Sequence, residues 1–150
     1  MALLIPIALL HQAIRSNSKC ISDEGSYTPD NTLFKKSQPH PRAYGNFARV
    51  IGHYSRDEKV LTLQQAIYQL AKLPIETLKI KKRGELKVGN YADIIIFDPA
   101  KVNDLATYDK PQQLATGMID VFVNGKLILK EGEPTGATAG KFVKGPGYKG

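Results

Sequence analysis

The stretch Arg83-Gly84-Glu85-Leu86-Lys87-Val88-Gly89-Asn90-Tyr91-Ala92-Asp93-Ile94-Ile95-Ile96-Phe97-Asp98 constrains this chain most. Two glycines punctuate a polar turn that delivers Ala92-Asp93 into a run of β-branched and aromatic residues. Tyr91 to Phe97 is a near-continuous apolar run, the pattern of a strand buried on both faces. Downstream, Val121-Phe122-Val123 and Lys126-Leu127-Ile128-Leu129 flank Asn124-Gly125. That pair predicts a two-residue hairpin, because a type I′ turn needs positive φ at both central positions. Glu131 to Pro134 turns the chain again, and a short strand is predicted over Lys141 to Lys144 before a frayed tail. Asp93, where turn becomes strand, is suited to accept backbone N–H groups and reads as structural.

Upstream the pattern is helical. A first helix is predicted over about 2–16, with Leu3, Ile7, Leu10 and Ile14 on one face and Pro6 near its first turn. A second is predicted over about 46–56, with Asn46 as N-cap and Phe47, Val50, Ile51 and Tyr54 along one side. A third starts at Thr62, where Gln65 completes a capping box; Leu63, Ala66, Ile67, Leu70 and Ala71 form its stripe, and Pro74 ends it. Residues 20–45, with Gly25, Pro29, Pro39, Pro41 and Gly45, read as a long loop. The layout therefore divides into a helical and loop part, 1–82, and a β-rich part, 83–150. Two or three strands rarely make an independent sheet, so the β part is expected to need partners.

With 150 residues, the chain fits one domain but not a complete (β/α)₈ barrel, which takes roughly 250. Its net charge of +7 admits anionic partners. The densest basic cluster, Lys79, Lys81, Lys82 and Arg83, has no interleaved aromatics for stacking bases and reads as a solvated face. No nucleic-acid partner is therefore expected. No apolar run approaches the ~18 residues of a membrane helix, and Met1 to Leu10 lacks the basic leader of a signal peptide. One cysteine, Cys20, excludes an internal disulfide, and a cytoplasmic location is expected.

Two motifs could carry chemistry. Ser22-Asp23-Glu24-Gly25 offers a carboxylate that could manage protons beside a metal-bound water. On spacing alone it reads as well as a loop aspartate in an Asx-turn. His40-Pro41-Arg42-Ala43-Tyr44-Gly45 offers a planar guanidinium suited to a carboxylate, or simply a stiff loop with a surface arginine. His11 and His53 have no metal-ligand spacing and read as structural, and Cys20 lacks a nearby base.

Taken in order, these motifs resemble a known family. Ser22 to Gly25, His40 to Gly45, Leu61-Thr62-Leu63-Gln64-Gln65-Ala66-Ile67, Gly89-Asn90-Tyr91-Ala92-Asp93, Val123-Asn124-Gly125 and Gly132 to Lys141 are similar to the C-terminal third of the N-acyl-D-amino-acid deacylases, or D-aminoacylases. These are metal-dependent hydrolases of the amidohydrolase superfamily. The resemblance implies an α/β fold: a C-terminal fragment of a (β/α)₈ barrel plus strands of the accompanying small β-sandwich domain. It implies zinc as cofactor and an N-acyl-D-amino acid as substrate. Asp23 matches the family's catalytic aspartate at the metal, and Arg42 matches the arginine that reaches the substrate carboxylate. The family's metal-binding histidines belong to earlier strands, so the missing N-terminal part of the barrel becomes a required partner. The chain alone is then expected to be inactive. The polar run Ser16 to Ile21 departs from the apolar strand that normally precedes the aspartate. Two rival readings remain from the residues alone: a non-catalytic β-rich interaction module and a basic nucleic-acid binder.

Overall fold

The computed structural model describes residues 40–149. The predicted helix over 2–16, together with His11, Cys20 and Asp23, lies outside the described residues.

Two helical rods precede a small sheet. The first joins α1 (Arg42–Arg49) to a π-helical segment, π1 (Val50–Asp57). It starts four residues before Asn46, which is therefore internal and not a cap. Pro41 stands at its N-cap, and its carbonyl accepts from Tyr44 and Gly45 N–H at 3.0 and 3.3 Å. A proline costs nothing there, since the first helical N–H groups have no intrahelical partner. Residues 42–45 are thus helical, not loop. Phe47 and Ile51 are buried as expected, but Tyr54 is exposed and Ser55 takes the inward position. The i→i+5 winding of π1 widens the turn and rotates the buried face by one residue.

The second rod comprises α2 (Leu63–Ile67), a π-helical segment π2 (Tyr68–Lys72) and α3 (Leu73–Thr77). Its capping box is complete: Gln65 N–H donates to Thr62 Oγ1 at 3.2 Å, and Thr62 N–H donates to Gln65 Oε1 at 2.8 Å. Ala66, Leu70 and Ala71 are buried, with Leu63 and Ile67 packed partly on the core. Pro74 does not end the rod. Leu73 N–H reaches back five residues to Tyr68 carbonyl, and Pro74 begins a fresh turn in α3. The wider π turn absorbs the donor that proline lacks.

Strands β1 (Ile94–Phe97), β2 (Met118–Val123), β3 (Lys126–Lys130) and β4 (Glu133–Pro134) form one antiparallel meander in that order. Asn124 and Gly125 have φ of 50° and 80°, as a type I′ hairpin requires. Glu131 and Gly132 repeat the device between β3 and β4, with φ of 50° and 86°. Pro134 is tolerated because β4 is an edge. Lys141 to Lys144 is not a strand; instead Lys144 and Phe142 pack against the Tyr148 ring.

β1 is not buried on both faces. Ile95 and Phe97 pack toward the helices, whereas Ile96 is 40% exposed. Successive strand residues alternate between the two faces of the sheet, and among the described residues the rods cover only the face opposite Ile96. That face joins both parts of the chain: Phe47, Ala48, Ile51, Leu70, Ala71 and Val102 form one core, against which Ile95, Phe97 and Met118 pack.

Val102 is fully buried in the connector between β1 and β2, which runs antiparallel along the first rod. Gly45 and Gly52 make the close approach possible. A Cβ on Gly52 would lie 2.3 Å from Val102 carbonyl oxygen, and one on Gly45 would lie 2.4 Å from Asp104 Cβ. The Gly52→Ala substitution is expected to destabilise the fold by about 1–3 kcal/mol, the cost of overpacking against backbone. Urea unfolding should show a lower midpoint with an unchanged slope.

Candidate functional site

The most ordered polar constellation gathers on Arg83. Its Nη1 donates to Asp93 Oδ2, and its Nη2 donates to Asn124 Oδ1 at 2.5 Å. The guanidinium also stacks 4.3 Å from the centre of the Tyr91 ring. Asp93 Oδ1 accepts Asn124 N–H at 2.8 Å, and Asn124 Nδ2 donates to Ala139 carbonyl at 2.7 Å. The side chains of Arg83 and Asp93 are only 9% and 13% exposed. Asp93 is thus structural, as expected, but Arg83 is not part of a solvated cluster. Burial of an arginine is tolerated here because a carboxylate, an amide oxygen and a ring face share the guanidinium.

The second constellation lines the connector seam. Arg49 Nη1 meets Asp104 Oδ2 at 3.1 Å. Tyr54 and, after it, Asp104 raise the Arg49 pKa. Arg56 Nη1 donates to the carbonyls of Pro99, Ala100 and Val102 at 3.3, 3.2 and 2.8 Å. His53 Nε2 lies 3.0 Å from Glu58 Oε1, a local contact consistent with a structural histidine. Sequence reasoning missed Arg49, Gly52, Arg56 and Asp104, and read Gly45 only as a loop residue. The signal was present: Gly-x-x-x-Arg-x-x-Gly-x-x-x-Arg puts two glycines and two arginines on one helical stripe.

Of the expected site residues, Arg42 occupies the first position of α1, at the end of the rod that this seam fixes. Its expected partner in the site, Asp23, lies outside the described residues. A shallow depression of about 180 Å³ is lined by Ile51, Ser55, Arg56, Leu63 and Pro99, smaller than an ordinary ligand pocket. Among the described residues, no three His, Cys, Asp or Glu side chains gather as a metal site. These residues alone do not fit zinc, and no catalytic step through a metal follows from them.

The Amidohydrolase family profile matches residues 28–129. The chain belongs to this family. It is 40% identical over 106 residues to a D-aminoacylase of Alcaligenes xylosoxydans xylosoxydans, covering 71% of this chain and 22% of that protein. The crystal structure of a D-aminoacylase described as defining a novel subset of amidohydrolases superposes with a TM-score of 0.70 at 39% identity, covering 74% of this chain and 23% of the other. An N-acyl-D-glutamate deacylase of Bordetella bronchiseptica, solved with zinc and a phosphonate mimic of the tetrahedral intermediate, gives 0.61 at 38% identity, covering 68% and 22%. The chain spans less than a third of the length of the curated relatives it matches. The helices and small antiparallel sheet are therefore an amidohydrolase part, shared with deacylases of N-acyl-D-amino acids.

The Arg83 network and the hairpin turn make separable contributions. Asn124→Gly keeps the backbone freedom of the turn but removes the amide that joins Arg83 to Ala139. It is expected to cost about 1–3 kcal/mol, the penalty for leaving buried polar partners unmade. Arg83→Met should cost more, about 3–5 kcal/mol, because it strands the buried Asp93 carboxylate. Denaturant titration of both variants checks the ranking.

Proposed function

We propose that this chain forms the C-terminal part of a zinc-dependent amidohydrolase that deacylates N-acyl-D-amino acids. The observation that carries this reading is 38–40% identity to such deacylases combined with a superposition of 0.70. In this reading, residues 1–82 contribute the last barrel strand, an active-site loop and closing helices, and residues 83–150 contribute strands of the small β-domain. The remaining barrel and its metal-binding histidines come from an N-terminal part. The histidines of that part, together with Asp23, would hold zinc, whose chemistry there would be to make a water nucleophilic toward the amide. Asp23 would serve as the general base and acid of the hydrolysis. Arg42 pairs its guanidinium with the substrate carboxylate, a planar match of fork to anion. The rigid seating of α1 supports that role, since a positioned cation binds an anion without first having to be ordered. The reading places the enzyme in the cytoplasm, with no membrane or nucleic-acid partner; no helix among the described residues is long and apolar enough to cross a membrane.

The 150-residue chain alone is expected to release no D-glutamate from N-acetyl-D-glutamate, with or without added zinc; metal-dependent release would overturn the assignment of ligands to another part. A chimera tests the positive claim. The whole chain replaces the matching part of the Bordetella bronchiseptica deacylase, and hydrolysis is followed with zinc. Activity is expected, with Asp23→Asn lowering kcat by about 10²–10⁴, the range of a general acid–base. Arg42→Met should raise KM by about 10–100-fold, the loss of one charged hydrogen bond. A folded but inactive chimera would favour a non-catalytic scaffold, whereas unchanged constants in either variant would overturn the role given to that residue.

A further inference from the structure

The connector between β1 and β2 touches the chain on both sides of Arg42. On the N-terminal side, Tyr108 Oη lies 3.1 Å from His40 Nε2, with the rings edge-on at 5.2 Å between centroids. On the C-terminal side, Asp104 lies so close to Gly45 that any side chain there would collide with its Cβ. The Asp104 carboxylate also receives Arg49 Nη1 at 3.1 Å, and its side chain is only 8% exposed. Arg42, Gly45 and Arg49 are spaced three and four apart, so they share one helical stripe. Asp104 therefore grips that stripe within about one turn of Arg42. Tyr108 follows Asp104 by four positions, and their contacts bracket the first turn of α1.

We propose that Asp104 and Tyr108 are positioning residues, which hold the opening turn of α1 so that Arg42 meets the substrate carboxylate in register. The inference rests on the reading of Arg42 as the carboxylate-binding group. Positioning matters for this group in particular. A guanidinium fork grips a carboxylate through two parallel hydrogen bonds, and both depend on its orientation. A long arginine on a frayed first turn would lose that orientation, whereas a bracketed turn fixes its root.

The experiment has two arms. In the chimera with N-acetyl-D-glutamate, Asp104→Ala is expected to raise KM about tenfold and leave kcat within about twofold, within the ~100-fold cost of a 1 Å misplacement. Tyr108→Phe should raise KM by a smaller factor. Asp104→Ala combined with Arg42→Met should be no worse than Arg42→Met alone, because Asp104 acts through Arg42. Additive effects overturn the proposal. Ala66→Gly in α2 is the stability control, expected to lower Tm with KM unchanged; if it raises KM as Asp104→Ala does, the effect is only loss of stability and the proposal falls. In the 150-residue chain itself, hydrogen exchange of the Tyr44 and Gly45 amides reads the turn directly. Asp104→Ala should accelerate it at least about tenfold over the amides of α2, an opening confined to one turn. Unchanged exchange overturns the proposal. An unchanged KM in Arg42→Met instead overturns the reading of Arg42, whereas a raised KM there with none in Asp104→Ala overturns only the positioning.

Discussion

The Arg83 guanidinium holds together four segments that the chain delivers separately. Arg83 follows the second helical rod, Asp93 leads into β1, Asn124 forms the tip of the β2–β3 hairpin, and Ala139 lies in the C-terminal segment. Each is a loop or a strand end, with few apolar contacts of its own. A short antiparallel meander is marginal by itself, so cross-links at its ends matter more than in a large sheet. The network also explains why asparagine stands at position 124. Glycine would satisfy the turn equally, but the Asn124 amide also accepts from Arg83 and donates to Ala139 carbonyl.

A second constraint works by absence of atoms. Gly45 and Gly52 let the connector lie directly on the first rod, and Val102 fills the space between rod and sheet. Arg56 then satisfies three connector carbonyls that no strand partner reaches. Polar satisfaction and close packing thus arise from the same stripe, glycines supplying proximity and arginines supplying donors. The two devices are complementary: the Arg83 network fixes the sheet to the chain around it, and the stripe fixes the helices to the sheet.

Local signals in the sequence were legible where local physics decides. The Asn124-Gly125 turn, the Thr62–Gln65 capping box and the apolar stripe of Ala66, Leu70 and Ala71 all depend on residues within a few positions of one another. What was not legible depends on partners far along the chain. Tyr54 turns outward because π1 changes the helical winding, and nothing in the 3.6-residue period announces it. Pro74 continues a helix for the same reason in π2. Ile96 is exposed because the rods cover one face of the sheet and Ile96 alternates to the other, a fact of packing and not of composition. Arg83 looked like one member of a basic run until Asp93 and Asn124, separated by thirty-one residues, were seen to converge on it. Of the candidate site, Arg42 could be seen only as a member of a motif. Its place on a helix emerged from Pro41 acting as a start where a loop was expected.

These constraints suggest how labour divides within such an enzyme. Among the described residues, the near-buried charges Arg83, Asp93 and Asp104 serve architecture, as do the more exposed Arg49 and Arg56: all pair within the chain. A part built this way can present a group at a fixed point, because a side chain rooted on a rigid element keeps its geometry without further ordering. α1 has the features such a root requires. It is seated on the connector at Gly45 and Arg49, and Arg42 occupies its first position. The physical demand on this region is then stiffness, and glycines that admit close approach contribute to it directly.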